Sequence, residues 1–441
     1  MPRHKPVLSD ESSPLHDILE RERQMEWDVP ELRSAQVRLA DVVSRLGLSQ
    51  DVLEKLSFPK RAVVASIPIR MDDGNIKVFA GYLVNHSDTL GPCQGQLRYH
   101  PRVNMGEITA LAMSNTWKSA LIGLPLGGAQ GGVRCTPDTM SRKELERITR
   151  RYTTEMVPVL GPDRNVLSPG LGTDEQVMAW MMDTYSQMKG VAVRQVVTGK
   201  PRIIGGSRGR RDAAGRSAVY AILEASKKID LKVGVGTKVA IQGFGKLGRA
   251  AFRLLERLGC KIVAVNDIRG GVFSSKGLDY RDLVKHMETH QYLINYPNAD
   301  RIENEELLTL PCDILILAAT GSQITHKNAG RVKAKLIAEG ANDATSPEAD
   351  LILRERGVFV LPDILASAGG MIVSYFEWVQ GMQSFLWPTR EVNQRLRNVI
   401  REAFDRAYTL AEREKIDLRT AAMMAGVAKV AEAMTTRGLY P

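Results

Sequence analysis

The stretch Thr237–Gly259, TKVAIQGFGKLGRAAFRLLERLG, decides the fold. A β-branched run, Lys238–Gln242, leads into GFGKLG, which sets Gly243, Gly245 and Gly248 between a strand and a helix. In such a turn the first glycine permits the tight bend, the second lets a pyrophosphate approach the backbone, and the third lets helix and strand pack closely. The helix N-terminus adds partial positive charge. Leu247, Ala251, Leu254 and Leu258 recur at helical spacing and predict the buried stripe. A second run, KIVAVND, ends in Asp267, 19 positions after Gly248, where an acidic side chain is placed to accept from ribose hydroxyls. A lone GxGxxG says little; strand, helix and acidic residue together specify a dinucleotide-binding fold.

Working outward, CDILILAA (312–319), KLIAEGAN (335–342) and GVFVLPD (357–363) alternate with helical patterns, the rhythm of a parallel, doubly wound sheet. Upstream, strand-like runs at 61–71 and 77–86 flank DDGN, a hairpin signal, and helical spacing covers much of 14–56. From SYFEWVQGMQSF onward the chain reads as helical. The expected organisation is a disordered tail over 1–16, an α/β domain over 17–200, a Rossmann-like domain over 201–365 and a helical segment over 366–441, with a cleft between the two domains.

The composition, 44% hydrophobic and 25% charged, is that of a soluble globular chain. The opening MPRHKPVLSDESSPLH carries no apolar run of signal length and no apolar run of membrane-spanning length occurs, so a cytoplasmic location and no membrane partner are expected. The net charge is +10, but Lys and Arg are spread thinly without interleaved aromatics, and no nucleic-acid partner is expected. Cys93, Cys135, Cys260 and Cys312 stand far apart, at no metal-ligand spacing, and read as buried free thiols; no metal site is expected.

The segment PLGGAQGGVR (125–134) sets Gln130 between two Gly-Gly pairs and reads as a pocket floor, with glycines free to take positive φ. A glutamine there neither gains nor loses a proton near neutrality. In the segment GTDEQ, Thr173 and Gln176 read as a capping box, leaving Asp174 and Glu175 as helix-start residues.

Seven segments in order strongly resemble the glutamate dehydrogenase family, the Glu/Leu/Phe/Val dehydrogenases. They are LRYHP (97–101), NTWKSALIGLPLGGAQGGV (115–133), GTDEQVMAWMMDTYS (172–186), TGKPRIIGGSRGR (198–210), VAIQGFGKLG (239–248), IAEGAN (337–342) and LPDILASAGGMIVSYFEWVQ (361–380). The resemblance implies that residues 17–200 form a substrate and oligomerisation domain and that residues 366–441 pack back on it. It also implies hexamers, NAD or NADP as cofactor, and oxidative deamination of an amino acid to its 2-oxo acid. Asn266-Asp267 leans toward NAD and Arg269 keeps NADP open, and weakened binding is left open.

The resemblance also implies what is missing. The family chemistry uses a lysine on the substrate side chain, a second lysine in the glycine-rich segment that activates water, and an aspartate that shuttles protons. Gln94, Gln130 and Gly170 stand at those three positions, so no catalytic residue is intact. Ala214, Ser217 and Ser367 replace a threonine, a glycine and an asparagine near the same cleft, with Ala214 among the expected cofactor-binding positions. Matching positions are Lys118 for a substrate carboxylate, Ser374 for a substrate contact and Asn342 beside the nicotinamide. Arg98 and His100 read as supports.

Losing acid-base chemistry costs about 10²- to 10⁴-fold, and losing charge-assisted contacts adds to this. The expectation is a catalytically impaired homologue, a regulatory subunit assembled with an active glutamate dehydrogenase paralogue in a homo- or hetero-hexamer. Lys118, Ser374, Gln94 and Ser367 would hold a small amino-acid effector or substrate. The alternative is an active NAD(P)-dependent dehydrogenase of glutamate or another amino acid.

Overall fold

The computed structural model describes residues 27 and 29–438; the expected tail over 1–16 lies outside them. The chain divides into two compact units, one running to Thr116 and over Pro125–Ile204, the other comprising Trp117–Leu124 and the chain from Gly205 on.

In the first unit α1 (Pro30–Arg45) and α2 (Gln50–Ser57) precede β1 (Arg61–Arg70), β2 (Ile76–Ser87) and β3 (Cys93–Tyr99). Then come α3 (Met105–Leu121), whose last turn belongs to the second unit, β4 (Gly127–Val133), α4 (Arg142–Met156), β5 (Asn165–Pro169) and α5 (Glu175–Lys189). The sheet order is β1-β2-β4-β3-β5. The expected hairpin joins β1 to β2, with Met71 N–H donating to Asn75 O and Gly74 at φ 91°.

Side chains of the strands alternate between two covered faces. Leu83, Leu97 and Leu167 pack with Tyr152 of α4 and Met178 and Met181 of α5, while Tyr82 and Val84 pack with Ile108 and Ala112 of α3. The segment GGAQGG is the buried central strand β4 rather than a bent pocket floor, and none of its glycines takes positive φ. They permit close approach instead: a Cβ on Gly128 would lie 2.3 Å from Thr116, and one on Gly127 1.9 Å from Ser87 O.

In the second unit, α6 (Ala213–Lys228) leads to β6 (Lys238–Gln242), α7 (Lys246–Arg257), β7 (Lys261–Asp267), β8 (Gly270–Phe273), α8 (Tyr280–His290) and β9 (Asp300–Ile302). There follow α9 (Asn304–Thr309), β10 (Ile314–Leu317), β11 (Leu336–Glu339), α10 (Pro347–Glu355), β12 (Phe359–Leu361) and α11 (Asp363–Ala366). The chain closes with α12 (Gly369–Gln383), α13 (Thr389–Glu414) and α14 (Leu418–Arg437).

The sheet order β12-β11-β10-β6-β7-β8-β9 is parallel through β7, as expected from the alternating runs. The short strands β8 and β9 extend it antiparallel, which the sequence reading did not include. Within this unit α13 packs on α6, and Gly426 of α14 lies against Trp117 O, in the part of α3 that the sequence assigned to the first domain.

Candidate active site

The phosphate turn has the geometry its glycines require. Gly243 sits at φ 93°, and its N–H donates to Asn266 Oδ1 at 2.7 Å. A Cβ on Gly248 would lie 1.9 Å from Gly243 O, whereas one on Gly245 would meet no protein atom within 4 Å. One glycine makes the bend, one seats helix on strand, and one leaves the backbone open to a ligand, as a pyrophosphate site demands. Seating Gly248 inward also rotates α7: its buried face is Gly248, Ala251, Phe252 and Leu255, while Leu258 of the predicted stripe is 43% exposed.

At the end of β7 the Asp267 carboxylate accepts backbone N–H groups from Arg269 (2.8 Å) and Leu293 (2.6 Å). Those two bonds orient it, and its remaining lone pairs are free for ribose hydroxyls. Arg269 lies over the Tyr292 ring, 5.2 Å from its centre. Lys246 is exposed in the first turn of α7, and Asn342 is exposed after β11.

Around the carboxyl ends of β11 and β12 lies a buried ionic network that the sequence reading missed. Arg419 of α14 donates to Glu339 and Asp350, each at 2.8 Å, and approaches Asp363 at 3.7 Å. Glu339 is fully buried and also accepts from Thr345 N–H and Asp363 N–H. Burial disfavours the Arg419 cation, yet Glu339, Asp350 and Asp363 together hold it charged.

Lys118 is buried in the same unit, with Nζ donating to Ser367 Oγ at 3.1 Å. Burial lowers its pKa against the opposing pull of Asp363 and Asp343. Burial raises that of Asp363, with Lys118 opposing. Ser367 Oγ in turn donates to Asp363 O at 2.7 Å, so the serine ties the lysine to the start of α11.

Ser374 is fully buried and accepts from Arg210 Nε at 2.9 Å. Ala214 O accepts from Ser217 Oγ, which also donates to Ala366 O and accepts from Gly369 N–H. The serine at 217 thus fastens α6 to the α11–α12 junction.

In the first unit the structure brings Gln94, Gln130 and Gly170 onto the adjacent strands β3, β4 and the end of β5, with Gln94 paired to Gly128 and Val166. Gln130 is 2% exposed and its amide is engaged: Oε1 accepts from Asn115 Nδ2 (3.3 Å) and Gln96 N–H (3.4 Å), and Nε2 donates to Gly131 O (3.3 Å). Asn115, three residues before Lys118 on α3, was not singled out from the sequence.

At Gly170 the backbone has closed in: a Cβ would lie 2.7 Å from Leu97 O. Thr173 helps to hold this loop, accepting from Gly170 N–H and donating to Leu97 O, both at 2.8 Å. Its hydroxyl is therefore not a helix cap. Asp174 caps α5 instead, accepting from Gln176 and Val177 N–H, and the capping box is corrected accordingly.

Arg98 pairs with Glu107 of α3, and His100 Nδ1 accepts from Arg102 N–H. All four cysteines are free and buried, and burial pushes the Cys93, Cys135 and Cys312 thiols up to about 12. Among the described residues no cluster of three or more metal-ligating side chains occurs, and no helix is long and apolar enough to cross a membrane.

The fold and site define a dehydrogenase architecture, and comparison with known proteins places it. Residues 205–438 match the Glutamate/Leucine/Phenylalanine/Valine dehydrogenase model and residues 59–187 the dimerisation domain of the Glu/Leu/Phe/Val dehydrogenases. The chain belongs to this family. It is 45% identical over 402 residues to the glutamate dehydrogenase of Thermotoga maritima, covering 90% of this chain and 96% of the relative. With the NAD-specific glutamate dehydrogenase A of Halobacterium salinarum it shares 42% over 410 residues, covering 93% and 94%. The solved hetero-hexameric glutamate dehydrogenase of Thermus thermophilus, in its Leu-bound form, superposes with a TM-score of 0.90 at 39% identity, covering 95% of this chain and 99% of that one.

Proposed function

We propose that this chain is a glutamate dehydrogenase homologue without efficient catalysis of its own, acting as a regulatory subunit in a hetero-oligomer with an active relative. The observation that carries the reading is Gln130. It stands where the resemblance puts the water-activating lysine, and its neutral amide is buried and bonded to Asn115, Gln96 and Gly131. The position of the proton-shuttling carboxylate is Gly170, where Leu97 O fills the space a side chain would need. A neutral amide moves no proton near pH 7.

The nucleotide half stands apart from this loss. The open backbone at Gly245 and the oriented Asp267 support retained binding of a nicotinamide dinucleotide, which supplies hydride transfer when bound. NAD is the favoured form, since the chain resembles NAD-specific relatives and carries the Asn266-Asp267 pair at the end of β7. The hetero-hexameric neighbour, solved with Leu bound, supports assembly with a second kind of subunit and binding of a small amino acid.

The test is co-expression with an active glutamate dehydrogenase, followed by native mass spectrometry and steady-state kinetics of the assembly. Mixed hexamers whose kcat or amino-acid response differs from the active homo-oligomer are expected. An active partner that neither incorporates this chain nor changes its kinetics would refute the reading.

A further inference from the structure

Of the two glutamines that stand at lysine positions, only one is satisfied. Gln94 is 2% exposed, and neither its Oε1 nor its Nε2 has a hydrogen-bond partner. Leaving such an amide buried and unbonded is unfavourable, and a core position has no need of it when leucine has nearly the same volume. The strand pleat sets Gln94, Gln96 and Gln130 on the α3 side of the sheet. There Asn115 engages Gln130, and the pairing neighbours of Gln94 are Gly128 and Val166, neither of which has a polar side chain to bond it. Gln96 is exposed on this face, so the row of amides reaches solvent.

We infer that Gln94 reads the side chain of the bound ligand, and that the side chain it takes is a primary carboxamide, as in L-glutamine. This rests on the reading of the Gln94–Gln130 face as an amino-acid site and names its ligand class. An unpartnered amide offers one donor and one acceptor side by side. A carboxamide answers both with two hydrogen bonds. A carboxylate answers Nε2 but sets its lone pairs against Oε1, an ammonium does the reverse, and a branched aliphatic chain answers neither. On this face of the sheet Gln130 is neutral and Arg98 is paired with Glu107, so neither offers a free cation to a side-chain carboxylate.

The experiment is isothermal titration of the purified full chain with L-glutamine, L-glutamate and L-leucine, beside Gln94→Leu and Gln94→Lys. The chain should bind glutamine tightest. Gln94→Leu should weaken glutamine by roughly tenfold, the worth of two neutral hydrogen bonds, while raising the melting temperature of the unliganded chain. Gln94→Lys should shift the preference to glutamate. Glutamine no tighter than leucine or glutamate, no binding of any of the three, or a glutamine affinity unchanged by Gln94→Leu would overturn the inference. The regulatory reading is judged separately, by subunit mixing, and stands if another amino acid tunes the mixed assembly.

Discussion

Restoring the shuttle carboxylate by Gly170→Asp is the obvious repair, and the structure predicts that it fails. Its first step, Gly170→Ala, isolates the cost of a single Cβ. That atom would sit 2.7 Å from Leu97 O and 3.0 Å from Gln96 Cβ, and Cβ atoms essentially never come under 3.0 Å of a neighbour. Leu97 cannot recede easily, because β3 is paired on both sides, to β4 and β5, and Leu97 O holds the Thr173 hydroxyl. Overpacking of this kind costs about 1–3 kcal/mol. Gly170 lies outside the positive-φ residues, so alanine regains about 0.4–1 kcal/mol from the unfolded chain, and the mid-range net loss is about 1.3 kcal/mol. Gly170→Asp loses more, since its carboxylate enters beside two acceptor oxygens, Leu97 O and Gln96 Oε1. Scanning calorimetry should show a fall of a few degrees for alanine and a larger one for aspartate, about 2–4 °C per kcal/mol in a mid-sized domain. Gly170→Asp should add no activity in a Gln130→Lys background. An unchanged or raised melting temperature for Gly170→Ala would refute the argument from crowding.

Three further outcomes follow from the same geometry. Gly245→Ala should leave stability unchanged yet weaken NADH binding measured by fluorescence titration, whereas Gly248→Ala, 1.9 Å from Gly243 O, should destabilise the second unit by about 3 kcal/mol or more. Arg419→Met strands the buried Glu339 and should cost about 3–5 kcal/mol in urea denaturation, with Arg419→Lys recovering part of it. His86 is buried between Thr116 Oγ1 and Leu56 O, each 2.8 Å away, and burial lowers its pKa to about 4. Because the unfolded chain binds its proton near pH 6.5 and the folded chain does not, stability falls as pH drops from 6.5 to 4, by about 3 kcal/mol for this group. Denaturation of His86→Gln over the same range should show a shallower slope.

The parts of this fold that were legible lie in contiguous patterns. GFGKLG announced the turn because its three glycines and the acidic Asp267 fall within one supersecondary unit, and DDGN announced the β1–β2 hairpin for the same reason. The short strands β8 and β9 were missed because GGVF and DRI carry too few residues to show a period. The stripe on α7 was displaced because Gly248, not the largest apolar residues, sets which side meets the sheet. Thr173 looked like a cap until its hydroxyl proved to be engaged by Gly170 and Leu97, a partner from a distant strand. The Arg419 network was invisible because its members at 339, 350, 363 and 419 meet only after folding. The resemblance marked Gln94, Gln130 and Gly170 as positions where this chain departs from its family. What the sequence could not show is that Gln130 is internally bonded, that Gln94 is not, and that the space at Gly170 is taken.

The most direct measurement is glutamate-dependent reduction of NAD and NADP by the purified chain alone, followed at 340 nm beside an active glutamate dehydrogenase. The account predicts no turnover above background, because Gln130 and Gly170 provide neither base nor acid. Sustained NADH or NADPH formation that disappears on Gly245→Ala would contradict it, and would mean that another group in this chain moves the proton.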